Sequence, residues 1–277
     1  MSFVDLMAVL ASNSEPNRNE GDYEKAGLLY CGKCNTPKQT EVKVGDRTLK
    51  PYCMCKCEAE QYEQEEKNRR ILTALHTREL YRKDGFTDKH LQQFTFDMDD
   101  GENPKPVSIA KRYVEHFNRM RQDGKGLMFY GTTGTGKTFI AACIVNALLD
   151  KGVKCQMTNF PRLINTLSGM YEGKQEFIDG LNSYSLLVID DLAIERDTEY
   201  AAEIVQNIVD SRYTAGKPMI ITTNLTYNDF LNPRDIRKQR LYSRLKEMCL
   251  PIEVKGKDRR EQKLTENFSE FSDLLGL

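Results

Sequence analysis

Apolar residues in this chain gather into short blocks between charged stretches, and the blocks are of two kinds. Leu127-Met128-Phe129-Tyr130, Leu186-Leu187-Val188-Ile189 and Met219-Ile220-Ile221 are unbroken apolar runs. Runs this short predict strands buried on both faces of a parallel sheet. Elsewhere the apolar positions recur at helical spacing. Helices are predicted over Val107–Arg121, where Ile109, Tyr113, Val114 and Phe117 share one side, and over Thr138–Leu149, Arg162–Tyr171 and Ala201–Tyr213. Further strands are predicted over Val153–Thr158 and Pro251–Val254. Alternating strands and helices predict an α/β fold, an open parallel sheet flanked by helices with ligands at the carboxyl ends of its strands.

The first hundred residues follow another pattern. Phe3, Met7 and Leu10 fall at helical spacing, which fits either a small docking helix or a frayed end. Asp5 and the lack of a basic lead argue against a secretory signal. Glu41–Tyr52 reads as a β-hairpin turning at Gly45-Asp46. From Glu58 to Lys83 the chain is a charged helix, with Glu63–Lys67, Glu65–Arg69 and Glu66–Arg70 in the favourable i,i+4 order. Asp97, Asp99, Asp100, Gly101, Pro104 and Pro106 then loosen the chain and mark a domain boundary. The expected organisation is an N-terminal segment at 1–30, a cysteine-rich module at 31–57, a linker helix at 58–93 and a nucleotide-binding domain at 94–277. With 277 residues, 39% hydrophobic and 29% charged, the chain is a globular protein of one large domain or two unequal ones. No run approaches the roughly 18 apolar residues of a membrane helix. Net charge is −1, yet residues 232–263 carry eleven Lys/Arg against five Asp/Glu, a segment able to face phosphates.

The chemistry sits at the ends of the apolar runs. Gly131-Thr132-Thr133-Gly134-Thr135-Gly136-Lys137-Thr138 is a complete GxxxxGKT phosphate-binding loop, with a strand before it and a helix after it. Its glycines let backbone N–H groups from Thr132 to Phe139 point at a nucleoside triphosphate, and the helix N-terminus adds partial positive charge. Lys137 can reach the β- and γ-phosphates, and the Thr138 hydroxyl can ligate Mg²⁺. Asp190, 53 positions after Lys137, can hold Mg²⁺ through water or through Thr138. Asp191 can orient or deprotonate the attacking water. Asn224, ending the Met219 run, can sense the γ-phosphate or position that water.

Five of the eight cysteines lie between positions 31 and 57, as Cys31-x-x-Cys34 and Cys53-x-Cys55-x-Cys57. A phosphate-binding loop points to the reducing cytoplasm, where clustered cysteines read as a metal site rather than a disulfide frame. The spacing fits tetrahedral Zn²⁺ in a closed, structural shell, with Cys31, Cys34, Cys55 and Cys57 as ligands and Cys53 as a substitute. Cys143, Cys155 and Cys249 stand singly in apolar surroundings and read as buried core thiols.

Gly131–Thr138, Leu187–Asp191 and Ile220–Asn224 resemble the Walker A, Walker B and sensor-1 elements of AAA+ ATPases. The approach Gly126–Thr138 and the lead-in Phe94-Thr95-Phe96-Asp97 are similar to bacterial and phage replicative helicase loaders of the DnaC kind, and to transposition helpers of the IstB kind. The resemblance covers about Phe94 to Gln262. It implies ATP hydrolysis between self-associating subunits, with a replicative helicase and single-stranded DNA as partners. It also implies that Arg244, in Ser243-Arg244-Leu245, is an arginine finger, with Arg240 as the alternative. In Gly256–Arg260 it implies that Arg260 is a sensor-2 arginine, with Arg259 as the alternative. Where loader-like ATPases often carry Glu, this chain has Asp191, which keeps open a nucleotide-gated adaptor with little turnover. A small-molecule phosphotransferase is the rival from another class; Asp190-Asp191 with Asn224 suits water as acceptor and argues against it.

Overall fold

The computed structural model describes residues 18–192, 199–233 and 236–259, with isolated positions 268, 272 and 275. The segment Met1–Leu10 and Arg260 lie outside the described residues. The chain divides into two compact units, Met1–Leu75 and His76–Leu277.

The first unit holds two small hairpins, β1 (Tyr23–Lys25) with β2 (Leu28–Tyr30) and β3 (Val42–Val44) with β4 (Arg47–Leu49). Ala26 and Gly27 link the first pair, both with positive φ (51° and 74°), which matches the strand twist of a two-residue turn. The helix α1 (Lys56–Asp84) begins here and runs on into the second unit.

The second unit is a five-stranded sheet. Its elements after α1 are α2 (Pro104–Glu115), α3 (Phe117–Gln122), β5 (Gly126–Tyr130), α4 (Lys137–Asp150), β6 (Cys155–Asn159), α5 (Phe160–Ser168), α6 (Lys174–Gly180), β7 (Leu186–Asp190), α7 (Glu199–Thr214), β8 (Met219–Thr223), α8 (Tyr227–Leu231), α9 (Ile236–Met248) and β9 (Cys249–Glu253). The strand order is β6-β7-β8-β5-β9, and every pairing is parallel. Successive side chains of a strand point to opposite faces, so the apolar runs feed two cores. Leu186, Val188, Leu127, Phe129 and Ile220 join Val107, Tyr113, Ile140 and Ile144 of α2 and α4. Leu187, Ile189, Met128 and Ile221 join Leu163, Ile208, Leu241 and Leu245 of α5, α7 and α9.

Three expected boundaries shift for local reasons. The single helix expected over Val107–Arg121 starts at Pro104, whose fixed φ suits a first turn, and breaks at His116 (φ −99°, ψ 19°). The strand expected from Val153 starts at Cys155. Gly152 takes φ 74° and Val153 N–H donates back to Leu148 O at 3.0 Å, so Val153 closes α4. The last strand starts at Cys249 rather than Pro251, because the β9 register begins opposite Gly126.

Behind the strand starts lies a feature with no sequence signal. Arg212 is fully buried. Its guanidinium donates to Tyr184 O at 2.9 Å, to Leu181 O at 3.2 Å and to Pro218 O. Burial pulls its pKa down to about 10, so it stays charged at neutral pH. Replacing it by Met should strand three carbonyls and cost roughly 3 kcal/mol. A urea unfolding midpoint equal to that of the wild type would contradict this structural role.

Candidate nucleotide and metal sites

The phosphate loop joins β5 to α4. Gly134 and Gly136 have φ of 77° and 97°, conformations that side chains rarely adopt. A Cβ on Gly134 would sit 1.9 Å from Asp258 Oδ1, and one on Gly136 2.9 Å from Arg259 Nη1. The loop is thus a cradle that only glycine backbone fits. Lys137, 7% exposed, donates to Gly131 O at 2.8 Å and Thr132 O at 2.6 Å. Thr135 is buried and donates to Thr132 O, while Thr132 and Thr133 are exposed. The Phe139 ring packs edge-on to Phe94, 5.4 Å between centroids.

Parallel pairing sets Ile189 of β7 opposite Ile221 of β8, which brings the next residues of both strands together. Asp190 accepts from Thr138 Oγ1 at 2.9 Å and from Thr222 Oγ1 at 2.5 Å. Burial raises its pKa, while the hydrogen bonds from Thr222 and Thr138 oppose that rise. Asp191 has φ 55°, a left-handed conformation that aspartate tolerates better than most residues. Its N–H donates to Thr222 Oγ1 at 2.8 Å, and its carboxylate meets Asn224 Nδ2 at 3.5 Å. Thr222, absent from the sequence reading, therefore fixes both acidic residues. Its only signal in the chain is its place at the polar end of an apolar run.

These residues fit a nucleoside triphosphate with its cation. The glycine cradle and the N-terminus of α4 suit polyphosphate. Thr138 and Asp190 supply a hydroxyl and a carboxylate oxygen, the hard donors that Mg²⁺ prefers.

The arginines separate. Arg244, about a quarter exposed, pairs with Asp210 of α7 at 2.5 Å and lies 5.1 Å from the Tyr213 ring. Lys125, just ahead of β5, donates to Glu247 O at 2.7 Å. The last turn of α9 is therefore beside the strand starts, whereas the phosphate loop follows a strand end. Arg240 approaches the same Asp210 at 3.7 Å. Asp210 and Tyr213 were not anticipated, since partners on another helix leave no local mark. Arg259 is at the phosphate loop, its N–H donating to Gly134 O at 3.2 Å.

In the first unit, the sulfurs of Cys31, Cys34, Cys55 and Cys57 lie within 4.8 Å of one another. The Cys31–Cys57 and Cys55–Cys57 separations are 3.6 and 3.3 Å. Four thiolates about 2.3 Å from one zinc stand roughly 3.8 Å apart, so the set fits Zn²⁺. Cys53 instead points its sulfur at Pro37 O, 3.7 Å away. A hydrogen bond with Thr36 pulls the Cys34 thiol down to about 5, while burial pushes Cys55 up.

A second layer holds the cysteine turns. Lys38, fully buried, pairs with Asp22 at 2.9 Å and Glu58 at 3.1 Å. Asp22 accepts from Gly32 N–H in the first knuckle, and Glu58 accepts from Cys55 N–H in the second. The Lys38 hydrogen bond lowers the Asp22 pKa to about 2.

Replacing Cys55 or Cys57 by Ser should release zinc, whereas Cys53→Ser should retain about one equivalent, the stoichiometry of a four-thiolate site. Elemental analysis of the purified variants checks this. Loss of metal from Cys53→Ser alone would reverse the ligand choice.

No described helix is long and apolar enough to cross a membrane. A family model described as IstB-like ATP binding protein matches residues 61–267. The chain is similar to the replicative helicase loader DnaC of Buchnera aphidicola, 28% identical over 183 residues, covering 63% of this chain and 70% of that one. It is 23% identical over 180 residues to the replicative helicase loader DnaI of Bacillus subtilis, covering 60% of this chain and 58% of that one. Among solved structures, the DnaC helicase loader superposes with a TM-score of 0.52 at 25% identity, covering 61% of this chain and all of that one. The DnaI structure gives 0.53 at 22% identity, covering 64% and 96%, a likeness of fold. The five-stranded parallel sheet, the phosphate loop and the family match together place the chain: it belongs to the IstB-like ATP binding protein family.

Proposed function

We propose that this chain is an ATP-dependent loader that binds a replicative DNA helicase and deposits it on single-stranded DNA. The observation that carries the reading is the junction of Thr138, Asp190, Asp191 and Thr222 at two neighbouring strand ends. It occurs in a chain whose relatives are named replicative helicase loaders. In this reading Lys137 leaves the loop carbonyls for the β- and γ-phosphates, and Thr138 with Asp190 holds Mg²⁺. An ion held there would supply positive charge against the negative charge that develops on the phosphates. Asp191 takes the proton of the attacking water and Asn224 orients it. Residues 31–57 belong to a zinc-held module that grips the helicase, 58–93 are a linker begun by α1, and 94–277 are the ATPase. Subunits assemble so that Arg244 of one completes the ATP site of the next.

A second reading is a nucleotide-gated adaptor with little turnover. Asp191 favours it, because the carboxylate is one methylene shorter than Glu and its backbone is tied to Thr222. Helicase and single-stranded DNA distinguish the two: a loader's ATPase responds to them and an adaptor's stays negligible.

The purified chain should retain its replicative helicase on beads with ATP and lose it in the Lys137→Ala variant. Arg244→Ala should bind ATP normally and lose turnover by a factor of roughly 10³ or more, the scale of an arginine finger. Mixed with Lys137→Ala it should regain part of that rate, since some interfaces then pair an intact loop with an intact finger. Co-assembly without any rescue would assign Arg244 a purely structural place on Asp210.

A further inference from the structure

Two segments remote in sequence meet over the phosphate loop. Asn103, 5% exposed, donates from Nδ2 to Thr135 O at 3.2 Å. Arg259 donates from its backbone to Gly134 O at 3.2 Å, and from Nη2 to Asp100 Oδ1 at 2.8 Å. Its Nη1 faces the bare Cα of Gly136, 2.9 Å from where a Cβ would stand. Its Nε is buried and has no hydrogen-bond partner among the described residues. An unsatisfied buried donor is costly, and here it belongs to a planar guanidinium whose fork of donors suits phosphate. Asp100 thus occupies one corner of the guanidinium and leaves donors beside the loop amides. The ligand chemistry that matches them is phosphate, which accepts from a planar fork.

We propose that Asp100 is a positioning residue that aims Arg259 at the phosphates of a bound nucleoside triphosphate, and that this clasp makes the order of residues 97–103 depend on nucleotide. The inference rests on the phosphate loop being the nucleotide site. Alone, the ion pair is a weak fastening, because Asp100 is 45% and Arg259 23% exposed. A phosphate on the remaining donors fixes the guanidinium, and the fixed guanidinium holds Asp100. Nucleotide occupancy is thereby relayed to the stretch that leads into α2.

The test measures ATP affinity and amide hydrogen exchange on the full-length chain. Arg259→Gln should weaken ATP binding roughly tenfold or more, as expected for loss of a charge-assisted contact. Asp100→Asn should weaken it by about fivefold or less, and Asp100→Glu should recover most of that loss. The double variant Asp100→Asn/Arg259→Gln should bind no more weakly than Arg259→Gln alone, because Asp100 acts through Arg259. ATP should slow exchange at 97–103 in the wild type and not in Arg259→Gln. Additive losses, unchanged affinity in Arg259→Gln, or nucleotide protection of 97–103 that survives that substitution would overturn the clasp. Lys137→Ala separates the two levels. Abolished binding there with normal binding in Arg259→Gln defeats the clasp alone, and full binding in Lys137→Ala defeats the loop reading beneath it.

Discussion

A carboxylate at the end of a fully buried strand constrains the whole second unit. In the proposed role Asp190 must stay ionised to hold a cation, yet burial works against its charge. The opposing force comes from two hydroxyls on different elements, Thr138 from α4 and Thr222 from β8. Both contacts require the β7–β8 register that sets Ile189 opposite Ile221. A slip of one residue would turn Asp190 to the other face and send the apolar side chains of β7 into the wrong core. Site and core are therefore specified by the same pairing. The alternation that buries Leu187 and Ile189 on one side and Leu186 and Val188 on the other also delivers the acid.

The first unit solves a different problem. Its described buried residues are Leu29, Cys31, Cys55 and Lys38, too few to support a core of ordinary kind. Polar fastenings replace it. Lys38 ties together the carboxylates that hold the two cysteine turns, and burial of its charge is offset by Asp22 and Glu58. Four thiols brought within one coordination sphere suit a unit whose folding depends on metal, since ligand binding then contributes the missing free energy.

Much of this was legible because the signals are local. The apolar runs name β5, β7 and β8, and each run's polar end names a residue near the phosphate loop. The cysteine spacing names the cluster but leaves Cys53, Cys55 and Cys57 competing for its last two places; the structure gathers Cys55 and Cys57 and turns Cys53 away. What the chain conceals is long-range. Arg259 and Asp100 are 159 positions apart, and Asp210 meets Arg244 across two helices. Arg212, in a helix that reads as amphipathic, disappears into the interior because three carbonyls converge on it. Short helices such as α6 and α8 fall below the length at which periodicity can be recognised.

The central claim is that Asp190 is held for a cation that accompanies the nucleotide. Its most direct measurement is the Mg²⁺ dependence of ATP affinity in the wild type and in Asp190→Asn, a variant of equal size that can still accept from Thr138 and Thr222. The account predicts that Mg²⁺ strengthens ATP binding in the wild type, and that Asp190→Asn loses most of that increment while keeping its metal-free affinity. An identical response to Mg²⁺ in both proteins would contradict it.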